Sequence, residues 1–292
     1  MNDYQTPRRT IAKAKPPTNW WRELRSILVL ILLVLGIHSF IAKPFYIPSI
    51  SMMPSLLVGD RLVVSKWPYG YSFASISFHL MPPTEGRIFG RTPERGDIVI
   101  LEPPGNRVDY IKRVIGLPGE RFEVRNGTVL INGKPVGREV QPMLALPVDE
   151  NAPCSPSDFP GALVTRPNGT RVCELPIVRE TLPNGVSFDT IELGSFEGDN
   201  VPALTIPAGH VFLMGDNRDR SADSRFPSGA PINGLGGPVP LEHIGGRAEL
   251  ITFSVDGSTR FGNPSTWLDA LRGERAGLSL RVERDTRPAN TK

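Results

Sequence analysis

Residues 110–133, YIKRVIGLPGERFEVRNGTVLING, decide the fold class. Three short runs rich in Val, Ile and Phe (YIKRVIG, RFEVR and TVLI) are separated by Pro-Gly and Asn-Gly. β-Branched and aromatic residues suit a pleated, half-buried surface, and Asn-Gly tolerates the positive φ of a tight hairpin turn. The stretch therefore predicts an antiparallel meander. The pattern continues outward in RLVVSKW (61–67), GDIVILE (96–102), HVFLMG (210–215) and AELITFSV (248–255). Asn-Gly recurs at 132–133, 168–169, 184–185 and 233–234. Asn126 and Asn168 stand in Asn-Gly-Thr, a glycan-acceptor pattern that a turn explains without a sugar. With no strand–helix–strand alternation and no internal repeat, the chain from Phe45 onward reads as mainly β.

The chain of 292 residues is long enough for one large or two modest domains. A hydrophobic share of 39% with 22% charged residues marks a folded protein rather than a disordered one. A net charge of +3 is too small to imply a nucleic-acid partner. The basic excess sits at the front, where Arg8, Arg9, Lys13, Lys15, Arg22 and Arg25 precede the apolar run 26–42. That run predicts a transmembrane helix, bounded by Arg25 and Lys43 and preceded by interfacial Trp20 and Trp21. The positive-inside rule makes residues 1–25 a cytoplasmic tail and puts everything after Lys43 outside. A cleaved secretory signal is the alternative. A cut after Ala42 would place Phe40 where a small residue is wanted, so an uncleaved anchor is the preferred reading.

Segments 43–139 and 206–258 read as one β core. Residues 140–205 are Pro-rich and loop-like, an insertion or second lobe holding both cysteines. Segment 259–292 is expected to hold a short amphipathic helix near 264–274, with Trp267, Leu268 and Leu271 on one face, and a frayed end. Cys154 and Cys173 fit neither CxxC nor a zinc spacing, and an oxidising compartment favours a disulfide over two free thiols.

HExxH, Walker, GxSxG and GxGxxG patterns are all missing, which disfavours metal and nucleotide chemistry, and no cofactor is expected. His38, His79, His210 and His243 each read as structural. A nucleophilic Ser51, in IPSISMMPSLLVGD (47–60), would then need another base. Alternation along 109–120 puts Tyr110 and Lys112 on one face, with Ile111 and Arg113 on the other and Arg113 turned to water. A lysine serves as a base only when neutral, so burial must lower its pKa from about 10.4. The exposed strand-edge lysine is the bland alternative. MGDNRDRSADSRF (214–226) interleaves acids and bases as a rigid, self-neutralised loop would.

IPSISMMPSLLVGD, RGDIVI, DYIKRVIGLPGE and GDNRDRSADSR, in this order after an N-terminal anchor, together resemble the bacterial type I signal peptidases. These are membrane-bound Ser/Lys endopeptidases. The resemblance covers roughly a third of the exported chain and none of 140–205. It implies an antiparallel β catalytic core with an inserted, β-rich second lobe, and cleavage of exported preproteins after Ala-X-Ala signals. It further implies a single-pass protein of the bacterial inner membrane, with preproteins and the lipid bilayer as partners and the oligomeric state left open. By position, Ser51 would be the nucleophile and Lys112 the general base. Ser49 would lend its hydroxyl to the oxyanion hole, Ser221 would orient Lys112, and Asp223 would pair with Arg225. Phe45, Ile47, Met52, Leu56, Tyr110 and Ile111 would line pockets for small side chains.

Three departures stand out: Ser55 where the family has Thr, one anchor where many members have two, and a longer Gly/Pro-rich loop after Arg225. The aromatic segment 67–83 reads either as a buried hairpin or as a patch dipping into the membrane interface, with Trp67 and Phe73 as its probes. A peptidase dedicated to one substrate and a non-catalytic anchored β scaffold remain as alternatives.

Overall fold

The computed structural model describes residues 19–260 and 262–282. The expected basic tail up to residue 18 and the polar end from 283 lie outside them. Helix α1 (Trp20–Gly36) is capped by the Asn19 side chain, which accepts from the Arg22 N–H. A π-helical turn, Ile37–Ile41, extends it. The helical segment Trp20–Ile41 has 22 residues and a mean hydropathy of 2.3, enough by length and composition to cross a membrane. It begins before residue 26 because the Asn19 cap allows the polar turn with Arg22, Glu23 and Arg25 to be helical as well. It also ends earlier, since Ala42 already belongs to a strand.

The first strands are β1 (Ala42–Tyr46), β2 (Asp60–Ser65), β3 (Ile98–Leu101) and β4 (Tyr110–Gly116). Next come β5 (Arg121–Arg125), β6 (Thr128–Ile131), β7 (Lys134–Pro135) and β8 (Gly137–Pro147). Then follow β9 (Leu163–Thr165), β10 (Arg171–Thr181), β11 (Ser187–Ile191) and β12 (Val201–Thr205). The last are β13 (His210–Met214), β14 (Val239–Pro240) and β15 (Ile244–Ser254). All ladder pairings between these strands are antiparallel, so the fold is mainly β as the sequence implied. The meander 110–133 turns where expected: Asn126 (φ 48°), Gly127 (φ 74°), Asn132 (φ 53°) and Gly133 (φ 76°) are all left-handed.

One seven-stranded sheet runs β1-β2-β15-β3-β4-β13-β14. A second runs β11-β10-β8 with β9 beside β10, and a third runs β12-β5-β6-β7. The stretch 140–205 is thus built of strands rather than loop. β8 and β10 have 11 residues each and pair from Gly137↔Thr181 to Pro147↔Val172, with a register shift between Leu175 and Ile177 that accommodates Pro176. Stacked Phe122 and Phe212, 3.9 Å apart, join the third sheet to the first. Cys154 and Cys173 form a disulfide (S–S 2.00 Å) packed with Met53, Leu57 and Leu175.

Two other expectations change. The C-terminal helix is one turn, α2 (Thr266–Asp269), and Trp267, Leu268 and Leu271 are exposed, so no apolar face is buried there. Segment 67–83 splits in two. Phe73 is 1% exposed and packs edge-on against the His243 ring at 5.1 Å, whereas Trp67, Phe78 and Leu80 are 55%, 62% and 68% exposed. Phe73 is a core residue and cannot probe a membrane surface.

Candidate active site

Pro48 and Pro54 within the IPSISMMPSLLVGD segment keep it from becoming a regular helix. It leaves β1 extended, and Ile47 is tied on both sides: its N–H donates to Asp60 O (2.9 Å) and its carbonyl accepts from Gly59 N–H (3.0 Å). The chain then makes a single 3-10 turn, Ile50–Met52, which carries Ser51. Ser51 is 8% exposed and its Oγ lies 3.2 Å from Ser49 Oγ. Asp60, fully buried, anchors the end of the segment through Arg275 at 2.9 and 2.6 Å.

Lys112 sits on β4, between β3 and β13. Its Nζ donates to Ser51 Oγ at 3.1 Å and to Ile111 O at 3.0 Å. It is 3% exposed. Burial brings its pKa down from 10.5 to about 8; the charges of Asp223 and Asp216 oppose that fall and Arg225 adds to it. The Tyr110 ring lies 5.4 Å from the ammonium.

The loop after β13 closes over both residues. Asn217 N–H donates to Ser51 O (3.1 Å), and Asn217 Nδ2 donates to Ile50 O (3.2 Å). Gly215 is required by contact: a Cβ there would strike the Ser51 carbonyl oxygen and the Ser221 hydroxyl. Gly215 N–H donates to Asp223 Oδ2 (3.0 Å), and Asp223 takes both Nε and an NH₂ of Arg225 at 2.9 Å. Burial alone would raise the Asp223 carboxyl, but the charge and hydrogen bonds of Arg225 outweigh it and hold the pKa below the usual range.

The self-neutralised loop is only partly so. Asp216 pairs with Arg113 of β4 at 2.8 and 2.6 Å, and Arg218 pairs with Glu180 of β10 at 2.6 and 2.7 Å. Arg113, expected to face water, is 6% exposed because Asp216 waits beneath it. Arg113, Glu180 and Asn217 were not singled out from the sequence. No charge imbalance could have found them, since the three aspartates and three arginines of the loop cancel in the sequence. Ser221 Oγ is buried and, among the described residues, has no hydrogen-bond partner, so the expected bond to Lys112 is not formed.

A cleft of about 360 Å³ opens over the pair, lined by Phe45, Ile47, Ser49, Tyr110 and Ile111 together with Asp109 and Arg220. Met52 and Leu56, expected in its walls, are 0% exposed and lie in the core cluster with Ile47 and Ile111. Among the described residues β1 pairs only with β2, leaving one edge open beside the cleft. No cluster that could hold a metal ion occurs among the described residues.

The sequence profile of the family described as "Signal peptidase, peptidase S26" matches residues 20–253. The protein named Signal peptidase I of Rickettsia typhi (strain ATCC VR-144 / Wilmington) is 34% identical over 244 residues, covering 80% of each chain. The like-named protein of Rickettsia bellii (strain OSU 85-389) is 33% identical over 246 residues, 80% of this chain and 73% of its own. A crystal structure of a signal peptidase I from Enterococcus faecalis V583 is 28% identical and covers 54% of this chain and 97% of that one. Its TM-score of 0.27 is too low to bear on the fold.

Proposed function

Because the chain belongs to the signal peptidase family, peptidase S26, we propose that it cleaves signal peptides from exported preproteins with Ser51 as nucleophile and Lys112 as base. One observation carries this reading: the Lys112 amine, stripped of solvent, lies 3.1 Å from the Ser51 hydroxyl. An extended preprotein lies along the open edge of β1, its small side chains before the cut against Phe45, Ile47, Tyr110 and Ile111. Neutral Lys112 takes the Ser51 proton as Oγ attacks the scissile carbonyl carbon. The Ser51 N–H and Ser49 Oγ then face the developing oxyanion. The tetrahedral species collapses, and the Lys112 ammonium passes its proton to the leaving amine. An acyl-enzyme on Ser51 remains. Lys112 next deprotonates a water that attacks this ester, and the signal peptide leaves as a free acid. Ser221, buried beside the pair and without a hydrogen-bond partner among the described residues, supplies an acceptor that holds the ammonium once it forms.

The helix Trp20–Ile41 anchors this machinery, with its N-terminus cytoplasmic and the β body outside, at the inner membrane of a bacterium. Trp67, Phe78 and Leu80 rest on the outer interface. Purified protein in detergent, offered a preprotein with an Ala-X-Ala junction, should cut it; Ser51→Ala should not. Cleavage by the Ser51→Ala protein would overturn the assignment of the nucleophile.

A further inference from the structure

The two ends of the cleft differ in charge. At one end Asp109 is neutralised by Lys43 (3.4 Å) and faces His79 (3.3 Å). That end adjoins the exit of the anchor, since Lys43 stands two residues after the helical segment ends at Ile41, so it receives the part of the substrate still near the bilayer. Arg220 lines the same cleft from a different element, the loop after β13. Its loop is fastened to Ser51 through Asn217, and its guanidinium is fastened to the disulfide loop of the second lobe. With the residues before the cut held beside β1 and the anchor, those after it are left to the Arg220 side of the cleft.

Every hydrogen-bond partner of this guanidinium is a carbonyl oxygen: Asp158 O at 2.8 Å, Ser157 O at 3.0 Å and Asp219 O at 3.5 Å. These bonds fix the group but leave its charge uncompensated, and among the described residues no carboxylate lies within ion-pair distance of it. The nearby acids turn elsewhere: Asp219 accepts from the Leu193 N–H through Oδ2, its Oδ1 having no hydrogen-bond partner among the described residues, and Asp158 accepts from Ser155 Oγ at 2.6 Å. The Phe196 ring, 5.2 Å from the guanidinium carbon, supports it from one face. Three of its five N–H groups are spent, so a carboxylate from outside can take the remainder.

We infer that Arg220 gives the enzyme a preference for an acidic side chain among the first three residues after the cut, an assignment that rests on the peptidase reading above. The test uses the full chain in detergent. Its substrates are preprotein peptides that share one Ala-X-Ala junction and carry Asp or Lys singly at the first, second or third position beyond it. At one of these positions wild type should prefer Asp by roughly two- to fivefold in kcat/KM, the range of an exposed ion pair, and high salt should shrink the ratio. Arg220→Gln should bring the ratio to about one, and Arg220→Glu should invert it. Each value is a ratio within one enzyme, so a general loss of folding or turnover does not imitate the effect. Ratios of one at all three positions in wild type, or a preference that survives Arg220→Gln, overturn the assignment alone. If wild type cuts none of the peptides, the peptidase reading falls and takes this one with it.

Discussion

Two lysines in this protein are buried alike, and only Lys112 meets a serine hydroxyl. Lys66 and Lys112 are 2% and 3% exposed, and burial is the leading cause that brings each to about 8. Around Lys66 the charge of Lys43 lowers the value further, Asp109 opposes it and Arg87 adds to it. Its Nζ lies 5.9 Å from the Phe45 ring, close to Gly245, and makes no ion pair among the described residues. The Lys112 Nζ instead meets a hydroxyl at 3.1 Å. Desolvation thus makes a neutral amine available at both places, while contact decides which one can act as a base. A perturbed pKa nominates a residue; geometry chooses.

The comparison breaks most visibly in turnover. Lys112→Met should lose at least about 10³-fold in kcat/KM, as removal of a general base and its charge does, while Lys66→Met should stay within a few-fold. Equal losses would erase the distinction. The pH profile sharpens it: on the proposed mechanism only the neutral Lys112 amine accepts the Ser51 proton, so kcat/KM should climb about tenfold per unit below pH 8 and level off above it. Lys66→Met should leave that inflection in place, and its displacement would mean that the wrong lysine had been titrated.

Stability should not separate the two lysines at all. Between about 8, the folded value, and roughly 10.4, the unfolded one, the unfolded chain binds more protons, so stability rises with pH in that window. Below pH 8 both states are protonated and the full penalty is felt. Either Met variant should therefore gain up to about 3 kcal/mol at pH 7, with the gain fading toward pH 10.5. Urea melts of the two variants at both pH values would read it, and a destabilised Lys112→Met protein would mean that burial is not strained there. The smallest effect concerns the surface near Lys66. Trp67→Ser with Phe78→Ser in one chain should weaken binding of an anchor-free protein to liposomes a few-fold, and unchanged binding would detach that patch from the membrane.

The strands around Lys112 were legible because their signals are local. YIKRVIG, RFEVR and TVLI are bounded by turns written in adjacent residues, and β4, β5 and β6 occupy those runs. Partners far apart in sequence were not legible. Nothing in RFEVR announces that β5 pairs with Val201–Thr205, and nothing in Arg113 announces Asp216, since register between distant segments depends on the whole fold. Pro176 made 140–205 look like loop, yet a register shift absorbs it within a long strand. The positions of Ser51 and Lys112 could be read because their motifs stand in the chain. Met52 and Leu56 could not be assigned to a wall or to the floor below it, because both environments are apolar and differ only in three dimensions.

The last turn of the apolar helical segment is stitched to the body rather than hinged from it. Tyr71 Oη donates to Phe40 O at 2.9 Å, Lys66 N–H donates to Ile41 O at 3.0 Å, and Ser77 N–H donates to Ser39 Oγ at 3.2 Å. On the proposed topology the serine then stands at a set height above the lipid, and the enzyme acts as a ruler. Two glycines inserted between Ile41 and Ala42 should loosen it, so that preproteins with spacers of different length before the cut site are processed at more nearly equal rates.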